Sequence, residues 1–277
     1  MLPPYILFDL DDTLFDHTRA SRIALAAIHA AHADDVSFDI FAQEHARVLE
    51  VYHRRFLRGE LTLDQARTAR MIELFAAFEI AINTPDALAI AALYRREHQG
   101  NRVLVEGARD LLEALQQQTQ LGIVTNNATA EQIEKLCALN IAHFFDTIVI
   151  SEDVGVTKPD KRIFEIALER LGARPTEVVM VGDSLSADIE GATNAGIASV
   201  WLNRKNEQTL AGADINSQKC LKGPATAGVS ISEPIEINSL APTADALAAI
   251  KAAFQKYSPS TLAPKDLTHA NLETLAS

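Results

Sequence analysis

At 277 residues the chain is long enough to bury a full core and long for one compact domain, so a core with a smaller second domain is expected. A net charge of -12 speaks against nucleic-acid binding, which needs a basic stripe to displace counterions, and Cys137 and Cys220 are too few for a disulfide framework or a zinc site. No apolar run approaches membrane-spanning length and a strand-like run begins within a few residues of Met1, so the expectation is a soluble cytoplasmic protein; the oligomeric state is not set by these features.

The stretch Tyr5 to Thr13 is apolar and β-prone until it breaks into carboxylates. A short run apolar at every position suits a strand buried on both faces, which places Asp9 and Asp11 where it surfaces at its C-terminal end, the edge at which open α/β sheets bind ligands. Ala-rich helical sequence follows, with helices expected near Thr18 to Ala33, Phe38 to Leu57, Thr62 to Ile80 and Pro85 to His98, the last capped by Thr84. From Val105 helices and strands alternate. Helices are expected over Ala108 to Gln118, Ala130 to Leu139, Asp160 to Leu171 and Ser186 to Ala195, and strands over Leu121 to Thr125, Thr147 to Ile150, Val178 to Val181 and Ser199 to Leu202.

Such alternation implies right-handed crossovers and a parallel sheet covered on both faces. Gly212 to Glu233 reads as a long loop, Ile235 to Ile237 as an edge strand, Pro242 to Tyr257 as a final helix and Ser258 to Ser277 as a tail. The fold class is therefore α/β. A Rossmann-like core of residues 1–15 and 100–257 is joined by an all-helical insertion of residues 16–99 and a tail of residues 258–277.

Four polar clusters follow the strand-like runs: Asp9, Asp11 and Thr13; Thr125 and Asn126; Lys158 and Pro159; and Gly182-Asp183-Ser184 with Asp188. In order and spacing they resemble the four motifs of the haloacid dehalogenase superfamily, from about Tyr5 to about Trp201. Over Ile148 to Leu202 the sequence looks most like the pyrimidine 5′-nucleotidase branch. Each motif alone is a weak signal; four in order are strong. Asn127 departs from the glycine that many relatives have there, which would narrow the phosphate pocket. The resemblance implies that the first strand lies centrally, that the helical insertion is a C1 cap closing on the site, and that all four motifs meet at one sheet edge.

It also implies a division of labour. Asp9 would be the nucleophile that forms an aspartyl-phosphate, and Asp11 the acid that protonates the leaving group and later deprotonates water. Asp9 beside Asp183 would be a costly pair of like charges without a metal, and hard oxygen ligands match Mg²⁺. Asp9, Asp183 and the Asp11 backbone carbonyl are the expected ligands, with Asp188 completing or orienting the shell. Lys158 would bring positive charge to the phosphate and to Asp9, while Pro159 would start the next helix. Thr125 and Asn126 would hydrogen-bond phosphate oxygens.

Selectivity is expected in the cap, since the motifs handle only the phosphate that every candidate ester shares. Arg67 and Arg70 lie three apart on one predicted helix, and Arg70 beside Met71-Ile72 is the cap candidate for the leaving group. His17, His29, His32, His45 and His53 show no metal-ligand spacing and are expected on the surface or as satisfied core residues. The expected activity is a Mg²⁺-dependent phosphatase of a small phosphomonoester, a nucleoside monophosphate among the candidates. The alternatives are a phosphatase of sugar phosphates or phosphoglycolate, a 2-haloacid dehalogenase, against which Asp11 argues, and a catalytically silent binding protein.

Overall fold

The computed structural model describes residues 1–206 and 234–257. The expected Gly212 to Glu233 loop, the tail from Ser258 and Cys220 lie outside the described residues. Strand β1 (Tyr5–Phe8) is the third of six in a wholly parallel sheet of order β3-β2-β1-β4-β5-β6. The other strands are β2 (Gln120–Thr125), β3 (Thr147–Ile150), β4 (Val178–Gly182), β5 (Ala198–Leu202) and β6 (Ile235–Ile237).

β1 is apolar at successive positions because both of its faces are covered. Ile6 and Phe8 pack with Val179, Val181 and the inner faces of α5 (Ala108–Leu115) and α10 (Thr243–Tyr257), while Leu7 turns to the opposite layer with Met180 and Phe164. Each such fully buried side chain contributes about 1.5–3 kcal/mol. The register aligns Phe8 with Ile123 on one side and Val181 on the other, so the residues just beyond these three strands meet at one edge.

Helices α1 (His17–His32), α2 (Phe38–Leu57), α3 (Leu63–Ala76) and α4 (Thr84–Gly100) form the cap around a core of their own, built from Ile28, Phe41, Met71, Leu74, Phe75 and Ile90. The chain crosses between core and cap twice, and the crossings are stitched together. Phe15 bridges antiparallel to Leu104, the Asp16 amide donates to the Val103 carbonyl at 3.0 Å and the Val105 amide to the Leu14 carbonyl at 2.8 Å.

Three local expectations are corrected. The cap of α4 is Asn83 rather than Thr84: Asn83 accepts from the Asp86 amide at 2.9 Å and Asp86 returns the contact to the Asn83 amide, a reciprocal box that puts Thr84 and Pro85 inside the first turn. Pro159 precedes its helix instead of starting it. Asp160 caps α8 (Lys161–Leu171) by accepting from the Arg162 amide at 2.9 Å, behind a cis Lys158–Pro159 peptide.

The segment after β4 is a wide π-helical turn over Leu185–Glu190, followed by the short helix α9 (Gly191–Asn194), in place of one regular helix from Ser186. The Ile189 amide reaches five residues back to the Ser184 carbonyl at 3.2 Å. Such widened turns recur where a side chain must be re-aimed at a site, and here that side chain is Asp188. The remaining elements are α6 (Thr129–Ala138) and the single turn α7 (Ser151–Val154).

Candidate active site

Asp9 is the residue after β1 and stays anchored to the sheet, its amide donating to the Val181 carbonyl at 3.0 Å. Lys158, brought from the other side of the sheet, is buried with its Nζ 2.6 Å from Asp9 Oδ1, 2.6 Å from Asp188 Oδ1 and 2.8 Å from the Val124 carbonyl. Asp188, fully buried, also accepts the Ser184 amide at 3.0 Å through Oδ2. Gly182 makes this possible, because a Cβ there would collide with the Asp188 carboxyl. Asp183 is fixed through its backbone, whose carbonyl accepts the Trp201 indole N–H at 2.8 Å.

Oxygens of Asp9, Asp183 and Asp188 lie within 4.8 Å of one another. Burial first, and then the neighbouring carboxylates, push Asp183 well above the usual carboxylate range; burial does the same to Asp9 against the pull of Lys158. Burial alone would lower Lys158, but Asp188 and Asp9 overcome it and raise the lysine, which stays charged. One buried cation therefore faces three carboxylates, and the surplus negative charge on hard oxygen donors fits a divalent cation such as Mg²⁺. Asp9 and Asp183, with Asp188 behind them, are the residues that would hold it.

Asp11 is placed differently. Lys135 of α6 donates to both of its oxygens at 2.7 and 2.8 Å, and Gln132, one turn earlier, donates to Asp11 Oδ2 at 3.2 Å and to Thr125 Oγ1 at 2.7 Å. Burial would raise Asp11, but Lys135, helped by His17 and by the Lys135 and Gln132 hydrogen bonds, holds it well below the usual carboxylate range. Neither α6 side chain stands out in the sequence. Their spacing of three puts them on one helix face, but nothing local says that this face meets a carboxylate 124 residues away.

Asn126 exchanges two hydrogen bonds with the Lys158 backbone: its Nδ2 donates to the carbonyl at 3.0 Å and its Oδ1 accepts the amide at 2.8 Å. Its side chain thus holds the Lys158 loop in place, while the Thr125 hydroxyl keeps its own proton to donate. Asn127 folds back on its loop, accepting the Ala128 amide at 2.8 Å and donating its own amide to Ser151.

Above these groups, cap and core enclose a cleft of about 810 Å³ lined by Asp9, Asp11, Lys135 and Lys158 from below and by Arg70, His45 and Tyr94 from the cap. The edge of the cap is tied to α6. Arg67 and Arg95 reach Glu131 at 2.7 and 3.2 Å, Arg102 reaches Glu134 at 3.2 Å, and Gln99 donates to Glu134 at 2.7 Å. One helix thereby touches the cap, Asp11 and Thr125 together. Of the histidines, His29 is half-buried and satisfied, bonded to the Val36 carbonyl at 2.7 Å. His45 is a correction to that expectation: it is buried with its ring 5.3 Å from that of Tyr94, and its Nε2 lacks a hydrogen-bond partner among the described residues.

An open parallel sheet under a helical cap, with a lysine-bridged carboxylate cluster at its C-terminal edge, defines a capped Rossmann-like α/β protein with an acidic site. The chain belongs to the haloacid dehalogenase-like hydrolases, whose family model matches residues 6–202. It is 33% identical over 199 residues to the HAD-hydrolase YfnB of Bacillus subtilis, covering 72% of this chain and 83% of that protein. The crystal structure of YfnB bound to magnesium superposes with a TM-score of 0.70 at 28% identity, over 90% of this chain and all of that one. Identity is also 33% over 208 residues to ribulose-1,5-bisphosphate 5-phosphatase of Halopiger xanaduensis, covering 73% of this chain and 85% of that enzyme. Pyrimidine 5′-nucleotidase YjjG of Escherichia coli matches at 44% over 103 residues, 37% of this chain and 46% of that enzyme.

Among the described residues no helix is long and apolar enough to cross a membrane.

Proposed function

We propose that the protein is a Mg²⁺-dependent phosphatase that passes the phosphoryl group of a small phosphomonoester to Asp9 and then to water. That it is a phosphoric monoester hydrolase follows from its family and from the phosphatases among its relatives; the metal, the intermediate and the substrate are the proposal. The observation that carries it is Lys158 bridging Asp9 and Asp188 beside Asp183, with Asp11 two residues along the same loop.

Asp9 offers an unbonded carboxylate oxygen to phosphorus, and its attack splits one difficult displacement into two easier ones. Lys158 neutralises charge on the transferring oxygens, together with the Thr125 hydroxyl and the loop amides. Bound Mg²⁺ would supply the further positive charge that lets a phosphate dianion approach these carboxylates. Asp11 is ionised in the structure, clamped by Lys135. The phosphate arriving next to it raises its proton affinity, so it takes up a proton from solvent and passes that proton to the leaving oxygen. The carboxylate so regenerated is the base that takes a proton from the attacking water.

The substrate class favoured is a small phosphorylated sugar or organic acid, with a nucleoside monophosphate second. Support comes from the extent of similarity, since the bisphosphate phosphatase aligns over 73% of the chain and the nucleotidase over 37%. The test is a screen of phosphomonoesters with and without Mg²⁺, beside Asp9→Asn. Turnover should vanish in Asp9→Asn and in excess chelator, and acid-quenched wild-type enzyme should carry hydroxylamine-labile phosphate. Activity near that of wild type in Asp9→Asn, full activity under chelation, or halide release from a 2-haloacid would refute the reading.

A further inference from the structure

Arg70 of α3 lines the cleft from the cap side. Every other arginine and lysine lining that cleft has a carboxylate within ion-pair distance. Among the described arginines and lysines that line the cleft, Arg70 alone has none. Its guanidinium lies over the Tyr94 ring, 5.1 Å from the centroid, and its Nε is buried without a hydrogen-bond partner. Beside it stands His45 of α2, 4% exposed, its ring 5.3 Å from that of Tyr94 and its Nε2 equally without a partner. Two unpaired polar groups from two helices thus converge on one wall of the chamber that holds Asp9.

A guanidinium cannot shed its proton, so sequestering it without a counter-anion is unfavourable, and a tyrosine face offsets only part of that. His45 cannot act as the counter-charge. Burial first and Arg70 second push it down to about 3, so it stays a neutral imidazole. Among the described residues no carboxylate is placed against Arg70, whereas Arg67, three residues earlier on α3, receives both Asp64 and Glu131. A positive charge that the protein leaves uncompensated in a substrate chamber is matched to negative charge on the substrate.

We infer that the leaving group of the substrate carries a second anionic group, a carboxylate or another phosphate, and that Arg70 holds it with His45 as a neutral hydrogen-bond partner. This rests on the phosphatase reading, which puts the scissile phosphate at Asp9 and so turns the leaving group toward the cap. It narrows the substrates to doubly anionic phosphomonoesters. An uncharged alcohol or a nucleoside would leave Arg70 without its counter-ion.

The experiment measures kcat/KM for the full chain with Mg²⁺ on two matched pairs and on p-nitrophenyl phosphate. 3-Phosphoglycerate and glycerol 3-phosphate differ by a carboxylate against a hydroxymethyl; ribulose 1,5-bisphosphate and ribulose 5-phosphate differ by a phosphate. The wild type should favour the charged member of at least one pair by about tenfold to a hundredfold, the range for a hydrogen bond to a charged group. The pair that responds separates carboxylate from phosphate.

In Arg70→Ala, checked for folding by circular dichroism, the ratio within that pair should fall to about threefold or less, with Arg70→Lys between the two. The wild-type ratio alone decides the matter should both variants fail to fold. A ratio near or below one in both pairs, from an enzyme that hydrolyses p-nitrophenyl phosphate, would overturn the inference while leaving the phosphatase reading intact. So would an unchanged ratio in folded Arg70→Ala. Failure to hydrolyse any ester, p-nitrophenyl phosphate included, would overturn the phosphatase reading and this inference with it.

Discussion

Gly182→Ala tests whether the wide turn after β4 exists to aim Asp188. Gly182 is not in the left-handed region, so alanine is conformationally acceptable there and the cost is steric alone: the new Cβ would fall on the Asp188 carboxyl. Asp188 must then leave a fully buried position, breaking its 2.6 Å pair with Lys158 and its 3.0 Å bond from the Ser184 amide. Removing one partner from a buried ion pair costs about 3–5 kcal/mol. Lys158 keeps Asp9 and the Val124 carbonyl, and alanine is favoured over glycine in a strand, so the net loss should be about 2–3 kcal/mol.

For a domain of this size that lowers Tm by roughly 4–12 °C. Thermal unfolding by circular dichroism measures it, alongside the Mg²⁺ concentration that half-activates the enzyme, which should rise as Asp188 leaves the carboxylate cluster. Gly100→Ala at the end of α4 is the control, since its Cβ would meet nothing within 4 Å and its Tm should stay the same or rise slightly. A Gly182→Ala protein with the Tm and Mg²⁺ response of the wild type would refute the argument.

Lys135→Met should destabilise the protein by about 1–3 kcal/mol at neutral pH, below the full cost of a broken buried pair because Asp11 is 24% exposed and keeps Gln132. Asp11 is depressed in the folded state, so its contribution is complete above its unfolded value and is lost as pH falls through the folded one. The gap between wild type and variant in urea unfolding should therefore shrink below about pH 4, and a gap independent of pH would contradict the assignment. His45 has the reverse chemistry. Held neutral down to about 3, it costs the wild type stability as pH falls below the ordinary histidine value, since the unfolded chain then binds the proton more readily. At pH 5 that amounts to about 2 kcal/mol, and His45→Gln should flatten the slope of stability against pH between about 6.5 and 5. An unchanged slope would show that His45 is not held neutral.

The sequence by itself determined the parts of this protein whose cause is local. Tyr5 to Phe8 reads as a doubly buried strand because each of its positions is apolar, and both faces are in fact covered. Asp9, Thr125 and Asp183 announce themselves by standing at the ends of strand-like runs, and a parallel sheet must gather such ends at one edge, whereas Lys158 stands before a helix. Helix α2 and strand β3 have the bounds their patterns imply. What only the tertiary structure decided is which side chains face one another across the cleft.

Lys135 and Gln132 are one polar face of an ordinary helix until α6 packs beside the loop after β1. Arg70 and Arg67 share a helix and a residue type, yet one is bound to Glu131 and the other left without an acid, a distinction made by the position of α6 under the cap. The π-helical turn is equally invisible in Leu185 to Glu190, because its cause is Lys158, 30 residues earlier, drawing the Asp188 carboxylate inward. Periodicity reports which face of an element is buried; the partner of a polar side chain on that face is fixed by contacts between residues far apart in the chain, which no local pattern encodes.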